Sequence, residues 1–440
     1  MDLNSGSRSR INLTTICLGI CLVVSERGIA SKKHIDIVKD APQMAYLFNF
    51  CIANAPKKSV YIYLLSNTRL INQIYKFFLE TLKFMWISNM NELHSNKFRR
   101  FSGKRKVVHV TYDSGIPLIG CIAFGLIDRG TNTIQIRPTS MCPLNCIFCS
   151  TDAGPNSKRR QTEYIVELEY LVDEFRRVVR YKGEYKIEAH IDTVGDPLTY
   201  PKIVDLVQEL KNTKGVEVVS MQTHGYLLSE KLIDDLDDAG LDRLNLSIDS
   251  LDPELARYLS GTPTYDVEKI MDMAMYITEN KRIDLLIAPV WVPSINDDEI
   301  PKIIEFALNI GAGKKWPALG IQKYIPHKRG RKPKGVRPMT WKEFYDKLRI
   351  WERKYSTKLV LSLSEDFGLH KRKMLPIKYK IGEKTIVETL TSGWQRGEVL
   401  TRGKGVSITV VRMPIIPRKG TQLAVRIIRN KHNIYIARTY

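Results

Sequence analysis

The chain has 440 residues, 43% apolar and 26% charged; that length exceeds a single hydrophobic core, and the composition excludes a disordered or fibrous protein. Its net charge of +21 and pI near 9.5 attract polyanions, so nucleic acid is the first partner to consider and a generally basic surface without a specific ligand is the alternative. Seven cysteines, at 17, 21, 51, 121, 142, 146 and 149, are odd in number and cluster at one place, which points away from a disulfide framework and toward metal ligation in a reducing, cytoplasmic compartment.

Residues 1–105 carry no functional motif. Residues 11–24 follow Arg8 and Arg10 with the length of a signal-peptide core but lack a small-x-small cleavage site. They fall short of the roughly 18 uninterrupted apolar residues that span a bilayer, as does every other stretch, so no membrane is expected. Residues 60–65 are apolar and 70–87 are helix-like, and Met85 or Met90 is an alternative start that would make the leader an over-extended reading frame. From 116 the pattern turns strand-like: 116–127 is apolar, Asp128-Arg129-Gly130 supplies a turn and 133–137 alternates in period two. This predicts a hairpin whose second strand leads into the cysteines.

Beyond the cysteines, helical and strand patterns alternate. Helices are predicted over 163–179, 203–210, 229–239, 267–278 and 299–310, and strands over 186–192, 216–221, 243–248, 283–292 and 319–324. Such alternation predicts parallel strands with crossover helices. Six strands, counting 133–137, make an α/β fold of the partial (β/α)6 TIM-like barrel type rather than a closed eight-fold barrel. Residues 323–338 hold seven basic residues, three prolines and no acid. A helix is predicted over 341–355, and 380–440 reads as short glycine-punctuated strands, a small β-barrel of about 60 residues. The predicted layout is an N-terminal segment without an assigned role (1–105), the core (106–330), a basic linker and helix (331–380) and the small β-barrel (381–440).

The sharpest motif is Cys142-Pro-Leu-Asn-Cys146-Ile-Phe-Cys149. Three thiolates at i, i+4 and i+7 on a loop after a strand can wrap three corners of a 4Fe-4S cubane, leaving the fourth iron open to bind and activate a small chelating molecule. A zinc site is the alternative; it needs a fourth ligand, which His190 or His224 supplies only through the fold. The motif resembles the Cys-x3-Cys-x2-Cys loop of the radical S-adenosylmethionine (SAM) superfamily, including the aromatic Phe148 before the last cysteine. The resemblance implies Cys142, Cys146 and Cys149 as cluster ligands, SAM chelated by the open iron, and Phe148 beside the adenine. It further implies reductive cleavage of SAM to a 5'-deoxyadenosyl radical that abstracts a substrate hydrogen, chemistry carried by the cofactor. An electron donor such as ferredoxin or flavodoxin is implied with it.

Further motifs follow in the superfamily's order. Val194-Gly195-Asp196-Pro197-Leu198 stands where the family has Gly-Gly-Glu-Pro, implying that Gly195, Asp196 and Pro197 meet the ammonium of the methionine moiety; Val194 replaces a glycine and Asp196 is shorter than the usual glutamate. Read from the residues alone, the segment is a strand-to-helix turn with proline near the helix start. Thr223-His224-Gly225 stands where relatives have Thr-Asn-Gly, and Ser247-Ile248-Asp249-Ser250 ends the next strand. The resemblance implies Thr223, Ser247 and Asp249 around the carboxylate and ribose of SAM, while His224 by itself reads as a hydrogen-bonded structural histidine. Val292-Pro293-Ser294-Ile295-Asn296-Asp297 resembles the adenine-side loop. All of these end predicted parallel strands, where the architecture puts active sites. No residue stands out as the substrate's acid or base.

Residues 397–440 resemble a TRAM domain, an RNA-binding β-barrel of tRNA- and rRNA-modifying enzymes. From 381 onward there are eleven Lys or Arg against three acids, with Tyr435 and Tyr440 available for stacking. That pattern suits RNA capture through phosphates and bases; a solvated basic barrel used for packing is the alternative. The basic run 323–338 would grip RNA phosphates or serve as a solvated linker. No cysteine follows Cys149, which argues against a second downstream cluster and against the methyl-carrying cysteine of RNA adenine C-methylases. The expectation is a radical enzyme that modifies RNA, tRNA ahead of rRNA. A radical enzyme acting on a small molecule or peptide is the alternative, and a non-catalytic RNA-binding iron-sulfur protein a third.

Overall fold

The computed structural model describes residues 105–440. The readings on 11–24, 60–65, 70–87 and the start near Met85 or Met90 lie outside the described residues, as do Cys17, Cys21 and Cys51.

Strand β1 (Lys106–Val110) opens this region, and β2 (Gly125–Asp128) with β3 (Thr133–Arg137) forms the hairpin, antiparallel from Gly125 opposite Arg137 to Asp128 opposite Ile134. After the cysteine loop, β4 (Thr162–Val166) pairs in parallel with β1. Alternation then begins: α1 (Leu168–Lys182), β5 (Ile187–Ile191), α2 (Ile203–Lys211), β6 (Val216–Thr223), α3 (Glu230–Asp238) and β7 (Arg243–Leu246). It continues with α4 (Pro253–Ser260), α5 (Val267–Asn280), β8 (Asp284–Ile287), β9 (Val290–Trp291), α6 (Glu299–Asn309) and β10 (Gln322–Lys323). The sheet order is β2-β3-β5-β6-β7-β8, parallel from β3 onward. Leu319 bridges Ile287 in parallel and β10 pairs β9, so residues 319–324 act as the sixth parallel strand of a partial barrel.

Three boundaries differ from the sequence pattern. Residues 163–166, expected as a helix start, belong to β4. Thr-Glu-Tyr-Ile-Val is β-branched and aromatic, and β1 claims its backbone, so α1 begins at Leu168. The apolar run 116–127 is strand only from Gly125; Gly120 and Gly125 sit at φ 121° and 82°, where a Cβ would strike the backbone oxygens of Ser407 and Leu118. The strand over 283–292 splits between β8 and β9 at Pro289, which has no N–H to give a ladder. Helix α4 was not anticipated, although Asp252 as a side-chain cap and Pro253 at the first turn announce it.

Period-two alternation divides the sheet into two faces. Ala189, Ile191, Val219, Met221, Leu244 and Leu246 share one face and are essentially unexposed, merging with the apolar stripes of α1 and α2 into one core. Glu188, His190, Ser220 and Arg243 share the other. There Glu188 accepts from Arg243 and from Ser220, both at 2.6 Å, while Ser220 Oγ lies 2.8 Å from His190 Nδ1. Arg243 also lies over the rings of Trp316 and Phe367.

Helix α7 (Trp341–Tyr355), closed by a Thr340–Glu343 capping box, and the short α8 (Leu363–Phe367) follow. The chain ends in a closed barrel of β11 (Lys384–Ser392), β12 (Glu398–Gly403), β13 (Val406–Val411), β14 (Gln422–Arg429) and β15 (Ile436–Thr439), in the order β11-β12-β13-β15-β14. It is docked hard on the core. Thr162 and Ser392 hydroxyls meet at 2.7 Å, Tyr164 donates to the Ser392 carbonyl, and the Ser407 and Tyr435 amides donate to the carbonyls of Ile119 and Gly120. Tyr435, expected to be available for stacking, is fully buried, with its hydroxyl donating to Asn433 and accepting from the Lys378 amide. Tyr440 is exposed, with Lys384 and Arg426 over its ring. The stretch expected as a linker is also anchored: buried Lys182 pairs with Asp128 at 2.7 Å and donates to the Lys373 carbonyl, while Asp128 accepts from the Leu375 amide. Among the described residues no helix is long and apolar enough to cross a membrane.

Because Glu188 and Arg243 are both buried, removing one strands the other's charge. Glu188→Ala is expected to lower stability by about 3–5 kcal/mol in a denaturant titration, by analogy with other broken buried pairs; a loss near zero would mean the pair is not desolvated.

Candidate functional site

The cysteine loop leaves the end of β3 and is pinned on three sides. The Ser140 amide donates to the Tyr164 carbonyl of β4, and the Ser140 hydroxyl donates to Glu163 at 2.6 Å. The Asn145 and Ile147 amides donate to the carbonyls of Ser260 and Leu259 at the end of α4, both at 2.9 Å. On the third side stands Arg331. Its guanidinium donates to the Cys146 carbonyl and to Asp152, each at 2.9 Å, and to the Ala153 carbonyl, while its amide donates to the Cys149 carbonyl. Gly330 lies so close to Cys149 and Ser150 that a Cβ there would collide with backbone. The basic run 323–338 is therefore not a free linker at this point.

Behind the loop Arg160 is buried. It donates to the carbonyls of Ser140 and Val194 and to Glu163, and it lies 4.8 Å from the ring centroid of Trp394 on the C-terminal barrel. One guanidinium thus joins the cysteine loop, the end of β5 and the barrel.

Cys142, Cys146 and Cys149 line a cavity of about 1030 Å³. None of the three is in a disulfide. Burial, then the Cys142 and Cys149 sulfurs, pushes the Cys146 thiol well above its usual range; Cys142, on the cavity wall but deep in the molecule, is raised by burial and then by Asp196. Thiolates here need a positively charged group to offset them. Three cysteine thiolates on one cavity wall, with no fourth protein ligand at motif spacing, suit a multi-iron group with one iron left open.

Of the other residues singled out by sequence, Phe148, Gly195, Thr223 and Ser247 line the same cavity, as does His224; Asp196, Pro197 and Asp249 do not. Gly195 packs on the Met141 and Ser140 carbonyls, leaving no room for a side chain. Asp196 is buried behind it and accepts from the Leu198 amide, the Thr223 hydroxyl and the His224 amide, tying the ends of β5 and β6 together. Asp249 accepts from the Val290 amide at 2.8 Å, and burial raises its carboxyl. The 292–297 loop stays off the cavity wall; its Asn296 braces the Asp249 carbonyl instead. His190 is half-buried, and desolvation lowers its pKa.

Sequence reasoning missed several wall residues. Cys121 lines the cavity, its thiol pushed up to about 11 by burial. The outward face of the small barrel supplies others, Thr409, Val411, Arg412, Ile436 and Arg438 among them. Only the net charge of the segment pointed to these.

The radical SAM superfamily profile matches residues 136–307. An uncharacterized protein of Methanocaldococcus jannaschii is 43% identical over 361 residues, covering 78% of this chain and 83% of that protein. A probable GTP 3',8-cyclase of the same organism is 29% identical, covering 46% and 61%, and the GTP 3',8-cyclase of Chlorobaculum tepidum is 31% identical, covering 40% and 50%. The chain therefore spans only about half to three-fifths of those cyclases. Among solved structures, SuiB of Streptococcus suis bound to S-adenosylmethionine aligns with a TM-score of 0.38 and 15% identity, covering 66% of this chain and 61% of that one.

Two outcomes follow from the site's supports. Arg331→Ala is expected to speed amide hydrogen exchange across residues 146–153 at least about tenfold, since charged hydrogen bonds of this kind contribute about 1.5–3 kcal/mol each; unchanged exchange would show that the loop holds itself. Glu299 accepts from Lys302, Ser250 and the Leu251 and Asp252 amides, and against the upward push of burial these hold it at about 2, below its ordinary 4.5. Its stabilising contribution is full above about 4.5 and is lost as pH falls toward 2. Glu299→Gln should flatten that part of the stability profile, and an unchanged acid limb would refute the assignment.

Proposed function

The chain belongs to the radical SAM superfamily, whose cofactors are SAM and a 4Fe-4S cluster, and from that premise we propose that it is an RNA-modifying enzyme, with tRNA as the preferred substrate. In this reading Cys142, Cys146 and Cys149 hold the cluster. When bound, the cluster supplies the electron that cleaves SAM reductively to the 5'-deoxyadenosyl radical. Phe148 would pack beside the adenine, the Gly195 backbone would receive the methionine end, and the Thr223 and Ser247 hydroxyls would meet the carboxylate and ribose. Asp196 and Asp249 act from behind, Asp196 by holding Thr223 and Asp249 by holding the Val290 amide. The buried surroundings exclude water from a reactive species.

One observation carries the RNA assignment. The C-terminal barrel, which we read as a TRAM-like domain, turns an arginine-bearing face onto the cavity that holds the three cysteines. Cations there suit phosphates. A ferredoxin- or flavodoxin-type donor would deliver electrons, in keeping with cytoplasmic chemistry. The second reading, a free phosphorylated small molecule, is favoured by how firmly the barrel is docked and by similarity to GTP 3',8-cyclases.

The test is anaerobic reconstitution, dithionite reduction and chromatographic measurement of 5'-deoxyadenosine from SAM, alone, with bulk tRNA and with GTP. Formation that rises severalfold with tRNA is expected. A rise with GTP alone would transfer the assignment to the second reading, and no formation from an intact cluster would refute the radical chemistry.

A further inference from the structure

The wall of the cavity that holds the cysteines has an unbalanced charge. Two carboxylates line the cavity, Asp192 and Glu398, and both are engaged: Asp192 pairs with Arg137 at 2.8 Å and Glu398 with Arg329. Arg129, Arg412, Arg429 and Arg438 line it too, and among the described residues none of the four has a carboxylate partner. They come from different parts of the chain. Arg129 sits in the β2–β3 turn, Arg412 just past β13, Arg429 at the end of β14 and Arg438 in β15.

Burial and then Arg137 lower Arg129 against the pull of Asp192, while His432 is lowered by burial and then by Arg129, Lys431 and Arg429 against the pull of Asp128. All four are exposed and none is closed by an ion pair among the described residues, so they are open to an anionic ligand that enters the cavity. Two buried donors of cavity-lining residues, Arg137 Nε and Trp394 Nε1, also lack an acceptor. Ile428, Ile434 and Ile436 line the same wall, offering apolar surface beside the cations, which suits a base with its phosphate better than an inorganic anion.

We propose that Arg129, Arg412, Arg429 and Arg438 form a binding site for the phosphate groups of a nucleotide substrate, inside the cavity and facing the cysteine loop. The inference rests on reading this cavity as the active site. It makes the C-terminal barrel the missing wall of the open (β/α)6 barrel rather than a remote capture module. A phosphate held there directs the attached sugar and base toward the cysteine loop.

The test uses the reconstituted holoprotein and compares the wild type with Arg429→Gln/Arg438→Gln. Fluorescence anisotropy would measure affinity for a tRNA transcript and, separately, for GTP across a salt series. Lys214→Gln/Lys231→Gln removes the same charge from exposed positions outside the cavity. Arg429→Lys/Arg438→Lys keeps the charge and guards against misfolding. For tRNA the expected result is at least about tenfold weaker binding by the Gln pair and a salt slope shallower by about 1–2, as loss of up to two phosphate contacts requires. The control pair should match the wild type, and the Lys pair should keep the slope. Where the wild type binds GTP but ignores tRNA, loss of GTP binding by the Gln pair would keep the site and remove the RNA reading. Unchanged tRNA binding by the Gln pair would overturn the site and leave that reading standing; a wild type that binds neither ligand would overturn both.

Discussion

The buried guanidinium of Arg160 is the constraint on which the rest of the site depends. It has no solvent to solvate it, so its charge is carried by the Ser140 and Val194 carbonyls, Glu163 and the Trp394 ring. Those partners belong to the cysteine loop, the end of β5, β4 and the C-terminal barrel. Each can move only by leaving a buried charge unsatisfied, a loss of several kcal/mol. The loop between β3 and β4 is therefore as rigid as the elements around it, although it contains no regular structure. Arg331 repeats the device from the other side with charge-assisted bonds to backbone carbonyls and Asp152.

Rigidity of this kind suits a site that must hold a charged, oxygen-sensitive group and a reactive intermediate. The polar face of the sheet, with Glu188, Ser220, His190 and Arg243 hydrogen-bonded together, sits below it. At the strand ends the core contributes thiols, glycine backbone and hydroxyls. The barrel contributes arginines and isoleucines. The cavity is thus composite: one half is chemically suited to a sulfur-bound cofactor, the other to an anion. Neither half encloses it alone.

Local signals were legible in the sequence. The i, i+4, i+7 cysteines lie within eight residues of one loop, and the strand–helix alternation survives into a six-strand parallel fold because each crossover is local. The closed small barrel was legible from glycine-punctuated strands. What sequence could not show is non-local. Arg160, Arg331 and Cys121 matter through partners far along the chain, and no spacing rule links Arg331 to Cys146. Tyr435 reads as a surface aromatic, yet its ring is interior, since it stands just before β15 on the same inward parity as Ala437. Asp196 reads as a ligand carboxylate but spends its oxygens on Leu198, Thr223 and His224. Residues 163–166 look helical until β1 arrives to pair with them.

Electron paramagnetic resonance of the anaerobically reconstituted, dithionite-reduced protein, recorded with and without SAM, tests the central claim most directly. A 4Fe-4S cluster with one iron open to a ligand gives a reduced-cluster signal that changes shape when SAM is added. A signal indifferent to SAM, or cysteines that take up a single zinc and yield no signal, would contradict it.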